Sequence, residues 1–233
     1  MRSMKSIKSQ QSGFTLVEIA IVLVIIGLLL GGILKGQELI NSAKVKNLAQ
    51  DFKTVPLYIY GYQDRFKAVP GNDGRAETNL HSTTSPAPTQ AMDRGDANGR
   101  IDGVWNSEAA ADESARFWRA VRATNFAAGP TDMTVTGYYP QNVEGGRVGI
   151  TSATTGQTPI TGMSGTYVFC SSTILGKYAK QLDTTLDDGN TETGSIRVRT
   201  LVSGVTLAAS APIAATATAS VDENTGYTVC MVF

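Results

Sequence analysis

The chain has 233 residues, with 20 Lys plus Arg against 20 Asp plus Glu and one histidine. A balanced charge without a basic cluster argues against a nucleic-acid partner. Charged residues make up only 17% of the chain, while Thr, Ser, Gly and Ala are plentiful, which suits an exported, strand-rich domain better than a cytosolic enzyme.

Residues 1–13 carry Arg2, Lys5 and Lys8 and no acid, like the basic n-region of an export signal. The small residue, Gly13, stands before the apolar run instead of after it. Cleavage at Gly13 would therefore leave the hydrophobic segment on the mature chain. Between Phe14 and Leu34 the one charged residue is Glu18. A helix of that length spans roughly 30 Å, about one hydrocarbon core. The basic leader predicts a cytoplasmic N-terminal side and places the C-terminal bulk outside. Gly27 and Gly31 have the small-xxx-small spacing that lets helices approach closely in a membrane. A carboxylate at that depth is costly unless paired, and the cheapest partner is a positive group from another copy of the same helix. The plainer role for Glu18 is favourable placement in the helix macrodipole, worth about 0.3–1 kcal/mol.

The block Gly13-Phe14-Thr15-Leu16-Val17-Glu18 and the apolar run after it resemble the class III signal of type IV pilins and type II secretion pseudopilins. The resemblance covers about Lys5 to Ile40. It implies that a prepilin peptidase cuts between Gly13 and Phe14 and methylates the new amino terminus of Phe14. It also implies that Glu18 pairs with the amino terminus of a neighbouring subunit during assembly. A buried amine and carboxylate compensate each other, whereas either alone is penalised. Many major pilins carry a proline within the membrane segment, and this chain has none between Phe14 and Lys35. That departure leans toward a pseudopilin or minor component.

Beyond the membrane segment, Leu39, Ile40, Ala43, Leu48, Phe52 and Val55 continue the helical spacing. Pro56 is expected to kink or interrupt the helix. Leu57, Tyr58, Tyr60, Tyr62 and Phe66 form an aromatic group suited to packing, and Val69-Pro70-Gly71-Asn72-Asp73-Gly74 is a turn cluster. Residues 77–90 read as a surface loop with His81 solvated. A second helix is expected over residues 107–125, with Ala115, Phe117, Trp118 and Val121 as its apolar stripe. Short strands are expected at 133–139, 147–151, 166–171, 195–202 and 227–233, and a short helix at 177–186. Residues 207–220, dominated by Ala and Thr, read as strand or loop.

Two acidic turns are the best local chemistry after the leader. Asp96, Asn98 and Asp102 begin like a D-x-[DN] calcium loop, but Arg100 stands where a third oxygen ligand belongs. An Asx-rich turn bonding its own backbone is the preferred reading. Asp187, Asp188 and Asn190 form the alternative calcium set, since some pseudopilins bind calcium in an acidic loop of the C-terminal half. A hairpin turn explains these three equally well. Cys170 and Cys230 lie in strand-like contexts, and an even count in an exported chain favours a disulfide. The bond would close a loop of about 60 residues, worth about 4 kcal/mol in the chain-entropy model. The other reading is two buried thiols. No nucleophile motif, phosphate loop or dinucleotide fingerprint occurs, so an enzyme is not expected.

The expected fold is α+β. A long N-terminal membrane-spanning helix packs on a C-terminal globular head with an antiparallel β-sheet, in the pilin manner. The expected organisation is a removed leader at 1–13, a helix at 14–55 with its first half transmembrane, and an extracytoplasmic head at 56–233. The expected function is a filament subunit held in the bacterial inner membrane with its head in the periplasm. Its partners would be a prepilin peptidase, other pilin-like subunits, an inner-membrane assembly platform with its ATPase, and membrane lipid. The alternative is a membrane-anchored periplasmic binding or adhesive domain that never polymerises.

Overall fold

The computed structural model describes residues 15–81, 94–154, 158–201 and 213–233. Two compact units divide the chain, the first ending at Ala43 and the second running from Lys44 to Phe233. Helix α1 (Leu16–Phe66) contributes to both. In its first part the large apolar side chains from Leu16 to Ile40 are exposed. Among the described residues α1 is the one helix long and apolar enough to cross a membrane.

The second unit is built on a four-stranded antiparallel sheet in the order β1-β2-β4-β3. Its strands are β1 (Val148–Ser152), β2 (Tyr167–Leu175), β3 (Ile196–Thr200) and β4 (Gly226–Val232). Three short helices accompany it: α2 (Ala76–His81), α3 (Glu113–Ala123) and α4 (Gly176–Leu186). A 3₁₀ turn covers Thr218–Ser220.

Strand alternation assigns each residue of β2 to a face. Tyr167 and Phe169 join the main core with Val45, Leu48, Phe52, Val55 and Ile59 of α1, which recur at helical spacing. Phe52 meets Phe169 edge to face, with ring centroids 4.9 Å apart. Val168 and Cys170 point the other way, into a smaller core with Trp105, Ile160 and Met163. On that face Cys170 and Cys230 are directly paired across β2 and β4 and are joined by a disulfide, with Cα atoms 4.1 Å apart. The sheet is thus buried on both sides.

Several elements differ from expectation. Pro56 lies inside α1, which continues to Phe66. The residues around it, Val55 and Ile59, are 3% and 0% exposed, and that burial offsets the lost backbone hydrogen bond. The second helix starts at Glu113, because residues 107–112 are consumed by turns in which Ser107 and Asp112 donate their N–H groups to Val104 and Ala109. Residues 133–139 form turns, not a strand. Asp132 accepts hydrogen bonds from the N–H and hydroxyl of Thr134, and Gly137 has φ +87°, so the chain cannot extend there. The expected loop at 77–90 begins with α2, and its remainder lies outside the described residues, as does the His81 side chain. Of residues 207–220, the described part holds one parallel bridge (Ile213 to Ile160) and the 3₁₀ turn.

Candidate functional site

Gly13 and Phe14, the expected cleavage pair, lie outside the described residues. The local order begins at Thr15. Its backbone N–H and its hydroxyl donate to Glu18 Oε2 at 2.8 and 2.7 Å, and the Glu18 N–H donates back to Thr15 Oγ1 at 3.3 Å. This reciprocal pattern is a capping box, with Thr15 as the cap and Glu18 three residues on. It satisfies N–H groups that the start of any helix leaves orphaned. Thr15-Leu16-Val17-Glu18 spells the T-x-x-E signature, so this second partner of the carboxylate is written in the sequence as a local motif. After it come exposed Ile, Val and Leu side chains, an apolar surface far larger than a protein keeps against water.

The two acidic turns are organised differently. In the first, Asp96, Asp102 and Glu113 offer carboxylate oxygens within 4.8 Å of one another. These oxygens already have donors. Glu113 Oε1 accepts from Asn72 Nδ2 at 2.6 Å and from the Asp96 N–H at 3.2 Å, and Oε2 accepts from the Asp102 N–H at 3.0 Å. The Asn98 side-chain amide donates to Asp96 and Asp102 at 2.7 and 3.1 Å. Asp96 Oδ1 accepts the Asn98 N–H, and Asn98 Oδ1 accepts the Arg100 N–H, as Asx turns do. The Asn98 N–H and the Asn72 amide hold the Asp96 carboxyl below the ordinary aspartate range. Buried Asn72 also accepts the Gly99 N–H at 2.9 Å, so one side chain ties this loop to the start of α3. Glu113 and Asn72 are 41 residues apart in sequence, and no local pattern announces their meeting.

In the second turn, Asp187 and Asp188 are joined by Asp183 of α4, again with carboxylate oxygens within 4.8 Å. Asp183 is fully buried, and neither of its oxygens has a hydrogen-bond partner among the described residues. Burial, with the charges of Asp188 and Asp187, pushes its pKa up to about 7. Asn190 is turned to other work: its Oδ1 accepts from the Glu192 N–H at 3.2 Å and from the Thr218 hydroxyl at 3.4 Å.

An open cleft of about 400 Å³ is lined by Asp51, Tyr58, Trp118, Arg122 and Gln141, among others. Its cation is committed to the fold. Arg122 donates to the carbonyls of Ala128, Pro130 and Tyr138 and sits over the Tyr138 ring. Desolvation raises the Asp51 pKa to about 6.

These observations fit a membrane-anchored, single-pass α+β protein whose apolar helix opens on a capped carboxylate. Residues 8–34 match the family described as the prokaryotic N-terminal methylation motif, the prepilin-type cleavage and methylation signal of type IV pilins and pseudopilins. The long N-terminal apolar helix and the C-terminal four-stranded antiparallel sheet are a pilin-like arrangement. No curated protein and no solved structure matches the chain. The motif implies processing by a prepilin peptidase and assembly with other pilin-like subunits, and it points to a structural subunit.

Proposed function

We propose that this chain is a filament subunit, type IV pilin-like or pseudopilin-like, held in the inner membrane until assembly. The single observation that carries the reading is the matched signal over residues 8–34 with Glu18 inside it, at the head of an exposed apolar helix. Residues 1–13 are the leader, removed by a prepilin peptidase between Gly13 and Phe14. The Phe14 amino group is then methylated, and the second unit lies in the periplasm because the leader cations stay cytoplasmic.

Assembly follows from charge compensation. The capping box keeps the Glu18 carboxylate hydrogen-bonded in the waiting subunit. When the helix enters a bundle of its own kind, water leaves and an unpaired carboxylate becomes expensive. The free Phe14 amine of a neighbouring subunit offers the opposite charge. A subunit offset along the bundle axis by the wrong distance would leave both groups buried and alone, so the pair selects the register. An assembly platform and its ATPase supply the work of extracting the helix from lipid.

The test uses the full chain expressed in membranes with a prepilin peptidase. The mature protein should begin at Phe14 with one added methyl group, and Gly13→Leu should remain uncut. Glu18→Gln should be processed normally yet fail to give the ladder of helix-to-helix cross-links that the wild type gives. A mature N-terminus elsewhere than Phe14 would remove the reading. Unchanged cross-linking in Glu18→Gln would favour an anchored domain that does not polymerise.

A further inference from the structure

The open cleft lined by α1 and α3 leaves one charge unanswered, and we propose that it binds a small organic cation, an ammonium or guanidinium on a short apolar stem, with Asp51 as the anchoring carboxylate. The cleft holds about 400 Å³, within the usual size of a small-ligand site. Its charged side chains are Asp51 of α1 and Arg122 of α3. Arg122 is committed to the fold. It donates to the carbonyls of Ala128 and Pro130 at 3.2 and 3.0 Å and to that of Tyr138. The Trp118 and Tyr138 rings lie against its guanidinium, with their centres 5.8 and 5.2 Å away.

Asp51 has no comparable partners. Among the described residues its carboxylate accepts no hydrogen bond and makes no ion pair. The polar neighbours on α1 that share the cleft bond each other instead. Gln50 Nε2 donates to Thr54 Oγ1 at 2.9 Å, and the Thr54 hydroxyl donates to the Gln50 carbonyl at 2.7 Å. Burial is the one cause that raises the Asp51 pKa to about 6, so Arg122 does not compensate the carboxylate. A proton answers that charge below about pH 6. Above it the carboxylate stands ionised and partly stripped of water, a condition that a bound cation relieves.

The walls select an organic cation over a metal ion. Calcium or magnesium takes roughly six or more oxygen ligands, and Asp51 is the one carboxylate lining this cleft. Phe169 and Val148 offer apolar surface for a stem, and Tyr58 and Trp118 bring aromatic rings, whose faces attract cations. Burial raises the Tyr58 pKa, the Asp51 charge adds to the rise and the Arg122 charge opposes it. The phenol therefore lies within the field of the same carboxylate. One unpaired charge beside aromatic and apolar walls is the arrangement that recognises an amine by its head and its stem together.

The site belongs to one subunit and does not rest on the filament reading. The experiment uses the full chain, isotope-labelled and held in a neutral detergent. It is titrated with n-butylammonium chloride or, separately, with n-butanol, an uncharged counterpart of equal length. The readout is the indole N–H resonance of Trp118. Trp105, in the smaller core on the other face of the sheet, is the internal control. Trp118 should shift saturably with half-saturation at about 1–10 mM, the reach of a ligand of about five heavy atoms, and the alcohol should need at least about tenfold more. At pH 5 the ammonium should bind about tenfold more weakly than at pH 8, because the ionised fraction of Asp51 falls to about one-tenth. The amine, the Arg122 guanidinium and the Tyr58 phenol, whose pKa is raised, keep their charge states across that range. Asp51→Asn should bind the ammonium no better than the alcohol, whereas Asp64→Asn, at an exposed position of α1, should bind as the wild type does. If Asp51→Asn does not fold, the pH dependence and the alcohol comparison in the wild type decide. The proposal is overturned if the ammonium gives no saturable Trp118 shift up to about 100 mM. It is equally overturned if the alcohol binds as tightly, or if Asp51→Asn keeps the wild-type affinity.

Discussion

The two ends of α1 share one helical period and meet opposite surroundings. From Leu16 to Ile40 apolar side chains occupy every face and are exposed, Leu28 at 74%. From Val45 to Tyr62 one stripe of them is buried, while Leu57 and Tyr60 stay exposed outside it. A stripe answers a single wall, here the sheet carrying Phe169, Val198 and Val229. Apolarity on all sides answers surroundings with no preferred direction, which is what lipid or a bundle of like helices provides. The outward pattern of a helix therefore reports what it is built to touch. The same argument explains why Gly27, Gly31 and Gly32, where an added Cβ would meet nothing within 4 Å, are tolerable in the first part.

The sharpest way to break this comparison is one truncation in each part. Phe52 is fully buried and packs on Phe169. Phe52→Ala should cost about 3–5 kcal/mol of stability, read by denaturant unfolding of the detergent-solubilised chain. Leu28→Ala removes an exposed side chain of similar character and should leave the unfolding midpoint unchanged. A comparable loss in Leu28→Ala would mean that the exposed part also sustains the folded unit.

A smaller effect sharpens the buried side. Asp51 stands on α1 beside the cleft, and burial raises its pKa from the ordinary 3.8 to about 6. Between those values the folded state holds more protons than the unfolded state, so stability falls as pH rises through that window and then levels off. Asp183 extends the decline toward pH 7 for the same reason. Asp51→Asn should flatten the lower part of the curve and Asp183→Asn the upper part. A stability curve that rises from pH 4 to pH 7 would contradict both assignments.

The parts of the molecule legible in the sequence were those written in local periodicity. The apolar run after Glu18, the stripe through Val45, Phe52 and Val55, the four strands of the sheet and α4 are all of this kind. Local rules misled where packing overruled them. Pro56 is carried within the helix by the burial of Val55 and Ile59. A strand is expected over residues 133–139, yet Tyr138 is buried with its hydroxyl donating to the Ala115 carbonyl at 2.6 Å from within turns. Of the acidic turns, Asp187 and Asp188 were visible as a pair. Asp183 precedes them by one helical turn, a spacing that places side chains on a common face and was there to be read. Its burial was not, because that depends on the packing of α4 against the sheet. Glu113 was equally hidden, since its donors come from Asn72 and from the loop at 96–102.

The smallest effect lies at the boundary between the two regions. Lys44, the first residue of the second unit, pairs with Glu144 at 2.8 Å, and its ammonium lies 5.7 Å from the centre of the Tyr178 ring. The Glu144 side chain is 11% exposed and that of Lys44 34%, so water screens the pair in part. The hydrogen bond to Glu144 raises the Lys44 pKa above 10.5. The contribution is therefore complete below that value and fades as pH climbs through the raised one. Lys44→Ala should cost about 0.2–1 kcal/mol near neutral pH, the range of partly exposed ion pairs. The double variant Lys44→Ala, Glu144→Ala separates pairing from simple loss of side-chain contact, because a true pair makes the two single costs non-additive. If they add, the sheet-facing stripe alone marks where the buried part of α1 begins, and the ion pair merely decorates that boundary.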